Sequence, residues 1–251
     1  MREQADKQIT IGILQTGQNR AELAAFDEYP VLFDRLLNPH GHPRWCELVT
    51  YRVLDGEFPE DVRACAGYIV TGSAAGVYEA HDWMAPLMAF IQDSHAAGIP
   101  LLGICFGHQA IAKALGGTVE KWPQGWGVGV RRMTLCERPG FIPADKDKLD
   151  LIYFHQDQVT TLPDGAVRLA TSAFCVNGGF TIGQSVLCLQ GHPEFDAAYS
   201  AALLDAITDK VGAERTAAAK NSLDQPTDAA EVAGWTKAFF TAALAAKGKA
   251  A

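Results

Sequence analysis

The stretch Leu101 to Gly117, LLGICFGHQAIAKALGG, admits few folds. Apolar and small residues run into Cys105 in the manner of a buried strand, and Gly103 and Gly107 stand two positions to either side of the cysteine. Beyond it the apolar period lengthens, with His108, Ile111, Ala112 and Leu115 at i, i+3, i+4 and i+7 along one helical face. A strand that turns at once into a helix, with glycines flanking one reactive side chain, has the spacing of a nucleophile elbow. The glycines leave room for a strained backbone that pushes the central side chain out of the sheet. At a helix N-terminus a thiol also feels the positive end of the dipole and free backbone N–H groups, both of which favour thiolate. An unperturbed cysteine titrates near about 8.5, so a modest depression makes it a nucleophile near neutral pH. A lone cysteine is more often a buried packing residue, and the elbow glycines are what tip Cys105 toward chemistry.

The remaining pattern is that of a strand-helix alternation. Ile9 to Leu14 reads as the first buried strand, followed by a helix through Val31, Leu32, Leu36 and Leu37 that Pro39, Gly41 and Pro43 terminate. Glu47 to Val53 and Gly67 to Val70 are the next strands. Thr71 to Gly76, TGSAAG, forms a small loop that lacks the G-K-[ST] of a phosphate cradle. Asp82 and Pro86 open a helix carrying Met84, Leu87, Met88 and Ile91 on one face, Gly98 ends it, and Ile99 to Ile104 delivers Cys105. This order implies right-handed crossovers in a parallel sheet with the site at the carboxyl ends of its strands, where both TGS and Cys105 fall.

From Gly125 the chain becomes strand-rich, and VGVRRMTL, LDLIYF, AVRLAT and SVLCLQ predict antiparallel strands at one side. GWGVGV lacks the spacing of a dinucleotide fingerprint and reads as the start of a strand at which the backbone approaches substrate. Ala197 to Val211 and Val232 to Ala246 read as helices, with GAERTAAAKNSLDQPTD between them as a surface linker.

Ser185 to Gln190 runs as a strand into Gly191-His192-Pro193-Glu194-Phe195. In extended backbone His192 and Glu194 face the same way, with Pro193 restricting the chain between them. A nucleophilic thiol needs a base for its proton and an acceptor to orient that base. A metal role for this pair, with His155 or His40 and His42, finds no recognised ligand spacing, and a satisfied core histidine is the other reading.

GICFGHQ followed by AIAKALGG, with GHPEF much later, resembles the class I (triad type) glutamine amidotransferases. The likeness runs from the first strand to about Tyr199 and is greatest to the free-standing branch that includes the glutaminase domain of GMP synthase and the plant γ-glutamyl peptidases. It implies an α/β fold, a doubly wound, mostly parallel, flavodoxin-like sheet with an antiparallel extension. It also implies a triad of Cys105, His192 and Glu194, and an oxyanion hole drawn from Gly72 or Ser73 and from Phe106. Gln109 would hold the α-amino and α-carboxylate end of a glutamine substrate, and His155-Gln156-Asp157 resembles the second substrate segment, with Asp157 facing the ammonium. No metal or other cofactor is implied. His108, on the apolar stripe, is structural. Two departures bear on the substrate: TGS replaces the G-G-P common in biosynthetic relatives, and the histidine of GHQ differs from several of them.

The 251 residues, 48% hydrophobic and 20% charged, suit a single domain over 1–251, with a core at about 8–210, the linker at 211–230 and a last helix at 231–247. A net charge of −8 argues against a nucleic-acid or anionic-membrane partner, and no apolar run or leader-like N-terminus is seen, so a cytoplasmic protein is expected. Six cysteines without a C-x-x-C pair fit reduced thiols, five of them packing residues. No second domain or ATP motif accompanies the glutaminase-like part. Three readings stay open: a glutaminase that hands ammonia to a separate synthase subunit, a self-sufficient γ-glutamyl peptidase, and a non-catalytic binding protein.

Overall fold

The computed structural model describes residues 9–250. Strands β1 (Ile9–Gln15), β2 (Cys46–Arg52), β3 (Gly67–Val70) and β4 (Leu101–Ile104) alternate with helices α1 (Tyr29–Leu37) and α2 (Met84–Ala96), and α3 (Phe106–Ala114) follows the elbow. Then come β5 (Thr118–Lys121), β6 (Gly127–Leu135), β7 (Lys148–His155), β8 (Asp157–Thr161), β9 (Ala166–Thr171), β10 (Gly179–Ile182) and β11 (Val186–Leu189). Helices α4 (Ala197–Ala206), α5 (Thr208–Val211), α6 (Ala213–Ser222) and α7 (Ala229–Ala250) complete the fold.

A nine-stranded sheet runs in the order β2-β1-β3-β4-β11-β10-β9-β6-β7, and β5 pairs with β8 in a separate ribbon. From β2 to β11 the strands are parallel; from β11 outward every pairing is antiparallel. Side chains alternate through the parallel half. Ile11, Ile13, Ile69, Leu102 and Ile104 face the apolar cluster shared with α1 and α7, while Leu14, Tyr68, Val70 and Leu101 face the cluster shared with α2 and α3. Helices thus cover both faces, which is why these strands read as nearly continuous apolar runs.

Two expectations are corrected here. SVLCLQ, read as part of the antiparallel side, pairs in parallel with β4 on one edge and antiparallel with β10 on the other, so it joins the two halves. An apolar run does not reveal strand direction. The stretch read as a surface linker carries α6, which packs on β6. Its few buried residues, Thr216 and Ala219, gave too little apolar period to signal a helix. This contact also reinterprets GWGVGV. Gly129, at φ +80°, faces α6, where an added Cβ would lie 2.9 Å from the Ala219 Cα, and Ser222 Oγ accepts from the Val130 N–H at 2.9 Å. Gly129 therefore serves helix packing, while Gly127 lies against His155.

The six cysteines are all free thiols. Cys46, Cys65, Cys175 and Cys188 are buried as expected of packing residues, but Cys136 is exposed just beyond β6. No described helix is long and apolar enough to cross a membrane.

Candidate active site

Cys105 has φ +52° and ψ −101°, a conformation that no other described non-glycine residue approaches in its positive φ. Such backbone costs about 1–3 kcal/mol and persists only where neighbours hold it. Here the Cys105 N–H donates to Leu189 O at 2.9 Å, and the Gly107 N–H donates to Thr71 O at 3.1 Å. The elbow glycines have identifiable neighbours. A Cβ on Gly103 would lie 2.6 Å from Gly107 O, and one on Gly107 would lie 2.0 Å from Val70 O. The first turn of α3 therefore lies directly against β3 and β4, and only glycine permits that approach.

Cys105 leaves β4 and His192 follows β11, and these strands are register neighbours, with Ile104 opposite Leu189. His192 is held three ways. Its N–H donates to Ile152 O at 2.7 Å, its ring stacks on Phe195 at 4.0 Å between centroids, and its Nδ1 bonds Glu194 Oε1 at 2.7 Å. Gly191 lets this segment pass against β7, since a Cβ there would lie 2.8 Å from the Tyr153 ring. With Nδ1 engaged, Nε2 is the nitrogen left to face the sulfur. Burial works against a charged imidazole, but the Glu194 carboxylate and Cys105 outweigh it and raise His192 to about 10. The arrangement thus favours an imidazolium beside the sulfur.

The loops after β1 and β3 meet beside this pair. Thr16 and Thr71 bond each other through a backbone N–H and both side chains, at 3.0–3.1 Å. Gly72 lies under the histidine, where a Cβ would be 3.0 Å from His192 Cε1 and 4.0 Å from Cys105 Cβ. Ser73, Cys105, Phe106 and His192 line one cavity of about 450 Å³, in the size range of ligand pockets. This cavity lies at the carboxyl ends of the parallel strands, where the order turns between β1 and β3.

Gln109 and Asp157 line the same cavity. Gln109 is almost wholly buried, and its Nε2 donates to Asp157 O at 2.9 Å and to Gln190 Oε1 at 3.1 Å. Its amide hydrogens are therefore committed within the protein, in contrast to a residue wholly free to grip substrate. Asp157 is half-buried and accepts from Tyr78 OH at 2.9 Å; burial raises its pKa, and the tyrosine partly offsets this. His155 bonds Asp157 O through Nδ1 at 3.0 Å, and burial pushes it down to about 4, so it is neutral. His108 is fully buried near Phe180 and pushed by burial down to about 3, in keeping with a structural residue.

Two residues of the site escaped the sequence reading. Gln190 is fully buried and its Nε2 lies 3.4 Å from the Cys105 sulfur. The signal was present: a glutamine closes an apolar strand two residues before His192. Tyr78, at the rim, had no such signal. Among the described residues, no group of three or more His, Cys, Asp and Glu side chains is placed to share a metal ion.

Residues 49–204 match the sequence model of the family described as Glutamine amidotransferase class-I. The chain belongs to this family. Among the relatives of this class-I glutamine amidotransferase is γ-glutamyl peptidase 3 of Arabidopsis thaliana, 35% identical over 64% of this chain and 66% of that protein. γ-Glutamyl peptidase 4 of the same plant is 32% identical over 73% of this chain and 74% of that protein. A solved glutamine amidotransferase from Thermotoga maritima superposes with a TM-score of 0.74, covering 94% of this chain and 98% of that one at 19% identity. That likeness speaks to the fold, and it agrees with the doubly wound sheet expected from the sequence.

Proposed function

We propose that this class-I amidotransferase hydrolyses the γ-amide of glutamine or of a γ-glutamyl compound through a γ-glutamyl thioester on Cys105. The observation that carries this reading is the buried Glu194–His192 pair, beside a cysteine held at φ +52° on the floor of the cavity. A structural cysteine has no need of a strained backbone, and a structural histidine has no need of a buried carboxylate that keeps it charged.

The Cys105 thiolate adds to the γ-carbonyl carbon, and the oxyanion takes hydrogen bonds from the Phe106 N–H and the Gly72 or Ser73 N–H. His192 Nε2 gives its proton to the amide nitrogen as the C–N bond breaks, releasing ammonia or an amine and leaving the thioester. Water then adds to the thioester while His192 takes a proton from it. The C–S bond breaks, glutamate or its γ-acid leaves, and the thiolate and imidazolium are restored. Glu194 keeps the imidazole in one orientation and favours its charged form throughout. Gln109, His155 and Asp157 form the side of the cavity that receives the α-amino and α-carboxylate end, with Asp157 opposite the ammonium.

The size of the cavity and the γ-glutamyl peptidases among the relatives support a substrate larger than glutamine. The test is intact mass after brief exposure to a glutamine-like chloroketone, for the native protein and Cys105→Ala. Labelling of Cys105 that glutamine or a γ-glutamyl peptide suppresses supports the reading; labelling that survives Cys105→Ala, or that neither compound suppresses, overturns it.

A further inference from the structure

The cavity has two unlike walls, and His192 belongs to only one of them. Its ring stacks on Phe195, and Phe195 packs in turn on Tyr199 of α4 at 4.6 Å and Tyr29 of α1 at 5.9 Å. Trp126, Leu203 and Ile207 join the same apolar cluster and line the cavity. The opposite wall is the Tyr78–Asp157 contact with Gln109 and Lys121, and it holds both acidic lining residues, Glu79 and Asp157. On the His192 wall the charged lining residues are Arg20 and Lys210, and neither makes an ion pair or side-chain hydrogen bond among the described residues. In a chain of net charge −8, two cations without a protein partner on one wall of the site make that wall a place for an anion.

The reaction fixes which part of the substrate meets this wall. The leaving nitrogen must receive its proton from His192, so whatever that nitrogen carries lies along Phe195 and α4. Ammonia would leave this wall unused. We propose that Arg20, Lys210 and the Trp126–Leu203–Ile207 surface form a leaving-group subsite for an α-amino acid or short peptide. Its carboxylate meets the two cations and its apolar side chain meets Trp126 and the α4–α5 residues. This assignment rests on the hydrolase function proposed above and adds the chemical class of the amine released.

The test compares kcat/KM for γ-glutamyl-leucine, γ-glutamyl-leucinamide and glutamine, in the native protein, Arg20→Met, Lys210→Met, the double variant and Lys121→Met. The free carboxylate should be favoured over the amide by about tenfold, as expected of two partly solvated ion pairs, and 0.5 M salt should narrow the ratio. In the double variant the ratio should fall to about one, whereas Lys121→Met, on the other wall, should retain it. Equal rates on the two compounds in the native protein, or a ratio that survives the double substitution, would overturn the subsite. Cleavage of glutamine alone would also overturn it while leaving the hydrolase function standing. No cleavage of any of the three would overturn the hydrolase function and the subsite together.

Discussion

Gln190 points its side-chain nitrogen at the Cys105 sulfur from 3.4 Å, while its oxygen takes a hydrogen bond from Gln109. Cys105 is thereby joined through Gln109 to the Asp157 carbonyl and, through that residue's side chain, to Tyr78 at the rim. In the proposed mechanism this sulfur is charged, and a hydrogen bond to a charged group contributes about 1.5–3 kcal/mol. Gln190→Leu should therefore lower kcat/KM by roughly ten- to a hundredfold. The rate of chloroketone labelling should fall with it; labelling at the native rate would show that Gln190 is only a packing residue.

Cys105 itself offers a test of strain. With the side chain removed, glycine should tolerate φ +52° better than alanine, so Cys105→Gly should be more stable than Cys105→Ala by about 1–2 kcal/mol. Both should lose hydrolysis by about a thousandfold or more. Chemical denaturation decides the first point, and equal stability of the two variants would remove strain from the description of the elbow.

Gly107→Ala should be among the more damaging single methyl additions in the chain, because the new Cβ would meet the Val70 carbonyl at 2.0 Å. Overpacking of this kind costs about 1–3 kcal/mol. Thermal melting should register the loss, and activity should fall as Cys105 is displaced.

The raised pKa of His192 sets a direction for pH dependence. Its folded value, about 10, lies above the unfolded value of about 6.5. The stability that His192 contributes is fully present below about 6.5 and is lost as the pH rises through about 10. The alkaline fall in kcat/KM should follow the same proton. Glu194→Gln removes a principal partner of the imidazolium, so that limb should move toward neutral pH and the alkaline loss of stability should shrink. An unmoved limb in Glu194→Gln would show that another group governs it.

Tyr78→Phe should act on substrate binding. The lost hydrogen bond frees Asp157 to titrate at higher pH, since Tyr78, together with the charge of Lys121, holds its burial-raised pKa down. KM should then begin to rise at a higher pH on the acid side than in the native protein, with kcat little changed. Overlapping KM profiles would place Asp157 outside ammonium recognition.

Much of this site was legible before any coordinates because its chemistry is local. GICFG states a turn, a helix start and the proposed nucleophile within five residues, and GHPEF puts the proposed base and orienter two residues apart on one extended segment. Both needs are met by neighbours in the chain. What the sequence concealed depends on contacts between distant segments. Gln190 and Gln109 are 81 positions apart, and Tyr78 and Asp157 are 79 apart. The helix α6 was hidden for another reason: it buries little, so nothing in its period marked it, and Gly129 explains itself only once α6 is laid against β6.

Cys105 leaves β4 directly, and His192 lies just past the neighbouring β11, fixed by Ile152, Phe195 and Glu194. The wall that would meet the released amine is made instead from the turn after β1, the stretch before β6 and the α4–α5 pair. In the proposed reading, the reactive pair and the wall that selects the leaving group meet only through Phe195, which stacks on His192 and packs on Tyr199 of α4. Exchange of residues 203–211 for the matching segment of a relative, with Tyr199 kept, should shift leaving-group preference while the Phe195 support of His192 stays in place. A scaffold of this kind can diversify its substrates by changing one helical flank without rebuilding its reactive centre.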